Sequence, residues 1–211
     1  QHSEASSDTT SYTVPAIDSF NPGSFPTGAA TAVTITGTNF GVAETANAIS
    51  ATYQNTAASN LAGSLYVATG CAVSVAHTKI TCTSEADGVG RALKWKVNVG
   101  DQQSLASSAT TSYDGPAISG LSGLSSFKTN GSDTDLVTIT GTNFGPEGAT
   151  ANPVSAVYQN ADLSSAYAKG EFAARGCAVS EAHTKITCKP ASAGAGKDQA
   201  WKVTVGDQQS A

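Results

Sequence analysis

The chain has 211 residues, of which only 13% are charged, and a net charge of -5. So thin and acidic a charge distribution excludes the clustered basic patch that nucleic-acid phosphates require, and no apolar run approaches the roughly 20 residues that cross a bilayer. No leader segment is visible, and a start at Gln1 without Met is expected to be that of a processed mature form.

In chain order, residues 1 to 13 (QHSEASSDTTSYT) hold no bulky apolar residue before Tyr12 and, taken alone, read as a disordered tail. A comparison within the chain changes that reading. Gln102 to Tyr113 (QQSLASSATTSY) matches the tail at Gln1, Ser3, Ala5, Ser6, Ser7, Thr9, Thr10, Ser11 and Tyr12, and Pro15-Ala16-Ile17 returns as Pro116-Ala117-Ile118. The tail is therefore a copy of the segment that ends a first repeat.

A strand is expected around Ala16 to Phe20, followed by loops at Asn21-Pro22-Gly23 and Pro26-Thr27-Gly28. Val33 to Gly41, VTITGTNFG, comes next and recurs as Val137 to Gly145. Its Val and Ile alternate with Thr, the period-2 pattern of a half-buried strand, and Gly-Thr-Asn then breaks the strand. A fixed strand and turn reproduced about a hundred residues apart mark a duplicated β-domain, and 211 residues suit two domains of about 100 each. Ile49, Ala51 and Tyr53 alternate as a further strand, answered by Val154, Ala156 and Tyr158. Residues 54 to 70 are ambiguous between strand and helical turn.

Cys71 and Cys82 follow within GCAVSVAHTKITC, and Cys177 and Cys188 repeat their spacing. Folding the segment about Ala76 and His77 sets Cys71 opposite Cys82 and Val73 opposite Ile80 on one face, which favours a cross-strand disulfide in each repeat and an oxidising compartment. His77 and His183 fall at hairpin tips away from the cysteines, as solvated turn residues, so zinc is not expected. Lys94 to Val99 is a strand with Trp95, Val97 and Val99 inward, repeated after Trp201. Trp and disulfide are expected at the core centre. Gly100 to Ser104 turns the chain, and Leu105 to Tyr113 forms the closing strand. Asn130-Gly131-Ser132 is a possible N-glycosylation sequon and also a tight-turn signal.

The order PAI, TITGTNFG, Cys-x-Val, Ile-x-Cys, W-x-V-x-V-G-x-Q-x-S and a Ser/Thr segment ending in Tyr resembles the IPT/TIG immunoglobulin-like domain over nearly all of both repeats. The resemblance implies two tandem all-β sandwiches, of a kind found in extracellular receptors of the plexin type, in surface proteins, as accessory modules of carbohydrate-active enzymes and in DNA-binding transcription factors. The acidic charge and the cysteines set this chain apart from the last group.

Domain limits follow as 1–13, a spare closing strand; 14–115, the first sandwich; and 116–211, a second sandwich without a closing strand of its own. The expectation is head-to-tail complementation, with Gln1, Ser3, Ala5, Ser7, Thr9, Ser11 and Tyr12 contacting the open domain of another copy. A segment of a longer covalent array, a fragment, or a tail folded back on its own second domain are the alternatives. Among the tail residues, Glu4, Ser6, Asp8 and Thr10 offer no large anchors.

No convergent set of titratable groups, calcium loop, phosphate loop or nucleophile elbow occurs, so no catalytic residue, metal or cofactor is expected. Asp101 and Asp207 recur as turn residues. The rival to an extracellular surface filament made of copies of this chain is a ligand- or carbohydrate-binding adhesion module, with glycans as partners and Tyr66, Tyr167 and Phe172 as contact aromatics or, equally, core residues.

Overall fold

A computed structural model of the chain describes residues 2–43, 48–55, 65–123, 126–148, 153–162 and 170–211. Among these residues all regular structure is β, arranged as two sandwiches in series. The first contains β1 (Ala16–Asn21), β2 (Ser24–Phe25), β3 (Ala32–Thr38), β4 (Ile49–Gln54), β5 (Tyr66–Val75), β6 (Lys79–Thr83), β7 (Lys94–Val99), β8 (Gln102–Gln103) and β9 (Ser112–Tyr113). The second contains β10 (Ala117–Gly123), β11 (Val137–Thr142), β12 (Val154–Asn160), β13 (Phe172–Ala173), β14 (Arg175–Glu181), β15 (Lys185–Lys189), β16 (Gln199–Val205) and β17 (Gln208–Gln209).

The ambiguous segment before the first cysteine resolves into the start of a long strand. In β5, Tyr66 to Ala68 pair with β4, whereas Thr69 to Val75 pair with β6, so one strand serves both layers and the strand order runs β1-β3-β6-β5-β4-β7-β8. A register shift between Thr69 and Ala72, at Gly70 with φ 60°, bends the strand where it changes layers. In the second domain this strand is divided into β13 and β14, leaving two separate four-stranded sheets, β10-β11-β15-β14 and β13-β12-β16-β17.

The repeated VTITGTNFG is explained by one crossing. Strand β3 buries Val33 and Ile35 and pairs Ile35 with Ile80 of β6. A Cβ on Gly37 would collide with the Ala16 carbonyl and with the Phe40 ring, which is fully buried beneath it, and Gly141 stands in the same relation to Ala117 and Phe144. Asn39 and Asn143 then turn the chain with φ 63° and 60°. The turn is tied to the hairpin tip by Phe40 N–H to the His77 carbonyl at 3.2 Å and His77 N–H to the Gly41 carbonyl at 2.6 Å, bonds repeated by Phe144, His183 and Gly145.

Cys71 is bonded to Cys82 and Cys177 to Cys188, and Val73 pairs with Ile80 as the folded segment requires. Cys82 shares the first core with Trp95, and Cys188 the second with Trp201. Trp95 stacks on Tyr53 with ring centroids 4.2 Å apart, and Trp201 on Tyr158 at 4.5 Å. Each such pair adds about 1 kcal/mol to the burial of the rings themselves.

Candidate functional site

Besides the division of β5 into β13 and β14, the two sandwiches differ in the groove beside β7 and its counterpart beside β16. In the first domain residues 104–113 fill it, but not as the continuous strand expected from Leu105 to Tyr113. Only Ser112 and Tyr113 form a strand, β9, running parallel to β2, with one further antiparallel bridge between Leu93 and Thr111. The rest is pinned by hydroxyls. Ser104 N–H donates to the Val97 carbonyl at 2.8 Å while its Oγ accepts from Val97 N–H at 3.0 Å, and Ser107 repeats both bonds on Trp95 at 2.9 and 3.0 Å. Thr111 Oγ1 accepts from the Trp95 indole at 2.8 Å, and Ser112 Oγ from Ala92 N–H at 3.3 Å. Small hydroxyl side chains take up bonds that a strand ladder would have made, which is why a Ser/Thr-rich segment can lie in a core edge without leaving buried polar groups unpaired.

Tyr113 closes the groove and is fully buried. Its ring meets Phe25 edge-on at 4.7 Å, and the ring lies where a Cβ on Gly88 would otherwise project. Its hydroxyl donates to the Glu85 carbonyl at 2.8 Å and accepts from Tyr53 Oη, also at 2.8 Å. Burial, with Tyr53 beside it, pushes the Tyr113 phenol far above its ordinary range, and burial raises Tyr53 to about 12. Both rings are neutral hydrogen-bonding groups at any physiological pH.

In the second domain the same groove is filled only at its start. Ser210 N–H donates to the Val203 carbonyl at 2.8 Å and Ser210 Oγ accepts from Val203 N–H at 3.1 Å, as Ser104 does on Val97. The counterpart of the groove that residues 105–113 fill in the first domain is a cavity of about 620 Å³, lined by Phe127, Tyr158, Ala191, Gly194, Gln199 and Trp201 among others. These are the counterparts of Phe25, Tyr53, Glu85, Gly88, Leu93 and Trp95. A Cβ on Gly194 would meet nothing closer than 3.6 Å. Tyr158 Oη accepts from Ala191 N–H at 3.0 Å, just as Tyr53 Oη accepts from Glu85 N–H at 2.8 Å. Gln199 Oε1 is buried with no hydrogen-bond partner among the described residues.

Tyr12, the counterpart of Tyr113, is 93% exposed. It nonetheless enters the first domain as Tyr113 enters the second: Gln102 Nε2 donates to the Tyr12 carbonyl at 2.8 Å and Asn39 Nδ2 to the Val14 carbonyl at 3.0 Å, while Gln208 Nε2 donates to Tyr113 at 2.9 Å and Asn143 Nδ2 to Gly115 at 3.2 Å. The tail also keeps a local bond of the closing segment. Ser6 Oγ donates to the Asp8 carbonyl at 2.7 Å, as Ser107 Oγ does to Ala109 at 2.6 Å.

The tail can be set beside its counterpart in the first domain. Gln1 lies outside the described residues, and the closing segment of the first domain does not bury alternate positions as a regular strand would. In the first domain the counterparts of Ala5, Ser7 and Thr9, namely Ala106, Ser108 and Thr110, are exposed, whereas Ser104, Ser107, Thr111 and Tyr113 are buried and Ser112 half-buried. The tail residues matching the pinned positions are Ser3, Ser6, Thr10, Ser11 and Tyr12, all identical to their counterparts. The three differences, His2, Glu4 and Asp8, fall on exposed Gln103 and Leu105 and on half-buried Ala109.

His183 also departs from expectation. His77 is exposed at its hairpin tip, but His183 crosses to the first domain, where Nε2 donates to the Asp87 carboxylate at 2.9 Å and Nδ1 pairs with the Thr27 hydroxyl at 2.9 Å. Val89 of the first domain is buried in the second domain's core cluster, with Gly206 packed against Val89 and Gly90. The corresponding end of the first domain is a hollow of about 480 Å³ lined by Tyr12, Asn39, Gly41, His77, Gly100 and Gln102 among others.

Tyr66 is a core residue, stacked on Tyr53 at 5.1 Å and bonded through its hydroxyl to Val89, and Phe172 packs on Tyr158 at 5.4 Å. Tyr167 lies outside the described residues. Asp101 and Asp207 turn the chain with φ 63° and 62°. Asn130 is exposed on a turn closed by Gly131 N–H to the Lys128 carbonyl at 3.0 Å and clasped by Arg175 Nη2 on the Gly131 carbonyl at 2.9 Å. Among the described residues no three metal-ligating side chains converge, and no helix is long and apolar enough to cross a membrane.

The model of the IPT/TIG domain family matches residues 15–113. No curated protein matches. Similar solved structures include the full extracellular region of plexin A4 (14% identity, TM-score 0.35, covering 92% of this chain and 15% of that one) and SGBP-B from a complex xyloglucan utilization locus in Bacteroides uniformis (20% identity, TM-score 0.30, covering 94% and 48%). The chain thus spans less than half the length of either structure. Its first domain belongs to the IPT/TIG immunoglobulin-like family, and the second repeats its fold.

Proposed function

From the IPT/TIG membership of the first domain, we propose that the chain is a structural unit of an extracellular filament of immunoglobulin-like beads, in which each junction repeats the one between its two domains. The observation that carries this reading is the paired hydrogen bonding of Gln102 and Asn39 on Tyr12 and Val14, and of Gln208 and Asn143 on Tyr113 and Gly115. The tail thereby leaves the first bead in the direction that a closing segment takes from the bead before it. The bead before it is then another second domain, its open groove facing the tail. The two disulfides suit an oxidising exterior such as a cell surface. The head-to-tail contact is heterologous and does not close on itself, so copies joined this way form strings.

Electron microscopy of the purified chain over a range of concentrations tests the reading. Linear strings that lengthen with concentration and collapse to two-bead particles on deletion of residues 1–13 are expected. Two-bead particles at every concentration would overturn assembly between copies.

A second reading is favoured by the aromatic lining of the cavity, since Phe127, Tyr158 and Trp201 are surfaces on which a sugar ring stacks. A glycan-binding module predicts oligosaccharide binding that is lost in Trp201→Ala and indifferent to residues 1–13.

A further inference from the structure

We infer that the cavity of the second domain is a tyrosine socket, built to take residues 5–12 of a second copy of this chain and selective for the phenol of Tyr12. Only the choice of occupant rests on the filament reading. The socket itself follows from comparison of the two grooves.

Three features of the empty groove match groups that the first domain uses to hold Tyr113. Gly194 leaves open the space that Gly88 yields to the ring. Tyr158 Oη already accepts the Ala191 N–H, and so stands where Tyr53 Oη stands to meet a second hydroxyl, with the Ala191 carbonyl in the place of the Glu85 carbonyl that Tyr113 bonds. Trp201 keeps 8% of its surface while Trp95 keeps none, because Thr111 and its neighbours cover Trp95. The matching tail residues are the same chemical groups. Ser6 carries the N–H and hydroxyl with which Ser107 bonds the carbonyl and N–H of Trp95, Thr10 the hydroxyl that Thr111 offers the indole, and Tyr12 the phenol. Ser210 already occupies the position of Ser3, so the tail's contribution begins after it, at Ala5.

Selectivity follows from hydrogen bonding. A Phe ring fills the same volume but leaves the Tyr158 hydroxyl short of a partner and the Ala191 carbonyl unmet in a desolvated site, and such a loss weakens binding by about tenfold or more. A socket that merely buried an apolar ring would not distinguish the two.

The test uses the full chain carrying Tyr12→Ala, which removes the ring of its own exposed tail, and a synthetic peptide of residues 1–13. The chain has two tryptophans, so its NMR spectrum carries two indole N–H signals. The peptide is expected to move the Trp201 signal and leave that of Trp95 in place. A Tyr12→Phe peptide is expected to bind about tenfold more weakly, and a Tyr12→Ala peptide not measurably. Gly194→Val, whose Cβ meets Phe172 and the Tyr158 hydroxyl only at an ordinary contact distance of 3.6 Å, is expected to fold normally and bind no peptide. Equal affinity for the Tyr and Phe peptides, or an unmoved Trp201 signal with every peptide, would overturn the socket. Binding of a peptide of residues 104–115 without binding of 1–13 would overturn the second copy as occupant, and with it assembly between copies, and would point to a following segment of a longer polypeptide instead.

Discussion

Gln208 Nε2 donates a 2.9 Å hydrogen bond to the main-chain carbonyl of Tyr113, so a side chain of the second bead holds the residue that closes the first. The same residue is thus the end of one core and the start of a joint. Gln208→Ala is expected to leave both beads folded, to weaken their docking by about 1 kcal/mol, and to widen the range of angles between them. Small-angle scattering, read as a broader distribution of interatomic distances, checks this, and adding His183→Ala should broaden it further.

Tyr113→Phe keeps the ring against Phe25 but removes the hydroxyl shared with Tyr53 and Glu85. A loss of about 1–3 kcal/mol from the first bead is expected, because partners in a dry site are left unpaired. Denaturant unfolding should show the first bead's transition shifted and the second's unchanged. Tyr12→Phe, at a residue 93% exposed, should change neither.

Alkaline pH should selectively weaken the first bead. Tyr53 is raised to about 12 by burial, and Tyr113 is raised further by burial and by Tyr53 beside it. The folded bead therefore holds these protons when an unfolded tyrosine, at about 10, has released its own. The stabilisation is complete below pH 10 and declines as pH rises towards 12 and beyond. Thermal scans between pH 9 and 12 should show the midpoint of the first bead falling steadily, and Tyr113→Phe should flatten that fall.

Reduction of the disulfides should cost each bead about 2–3 kcal/mol, since each closes a short loop with a sequence separation of 11. Because Cys82 and Cys188 lie in the same clusters as Trp95 and Trp201, the loss should be visible as a shift in tryptophan emission at denaturant concentrations the oxidised chain withstands.

Asn130 occupies the position of Gly28, which in the first bead lies against the His183 ring, a Cβ there being 3.0 Å from it. In a string of copies Asn130 would face His77 of the next bead. A glycan on Asn130 should therefore abolish end-to-end assembly. Comparing glycosylated material with Asn130→Gln by intact mass and electron microscopy checks this.

The strands, the cysteine pairs and the kinship of the tail with residues 102–113 were legible because period-2 patterning and repetition are local properties of the chain. The closing segment was misjudged for a physical reason. A continuous strand over Leu105 to Tyr113 implies alternate burial, whereas Ser104 and Ser107 bond β7 through their hydroxyls and the buried positions fall at 104, 107, 111 and 113. His183 looked identical to His77 because its distinguishing partners, Thr27 and Asp87, belong to the other bead. Repetition itself hid the socket. Tyr158 and Trp201 read as core residues like Tyr53 and Trp95, and only the filled groove reveals what their counterparts hold.

The parallel pairing of β2 with β9 has a mechanical meaning. The chain enters the first bead through β1, continues into β2 and leaves after Tyr113 of β9, so once β1 is drawn taut, tension along a string of copies would pull β2 and β9 from opposite ends. The bonds between β2 and β9 would then be loaded together in shear instead of peeled one after another. A tether built in this way yields late and all at once.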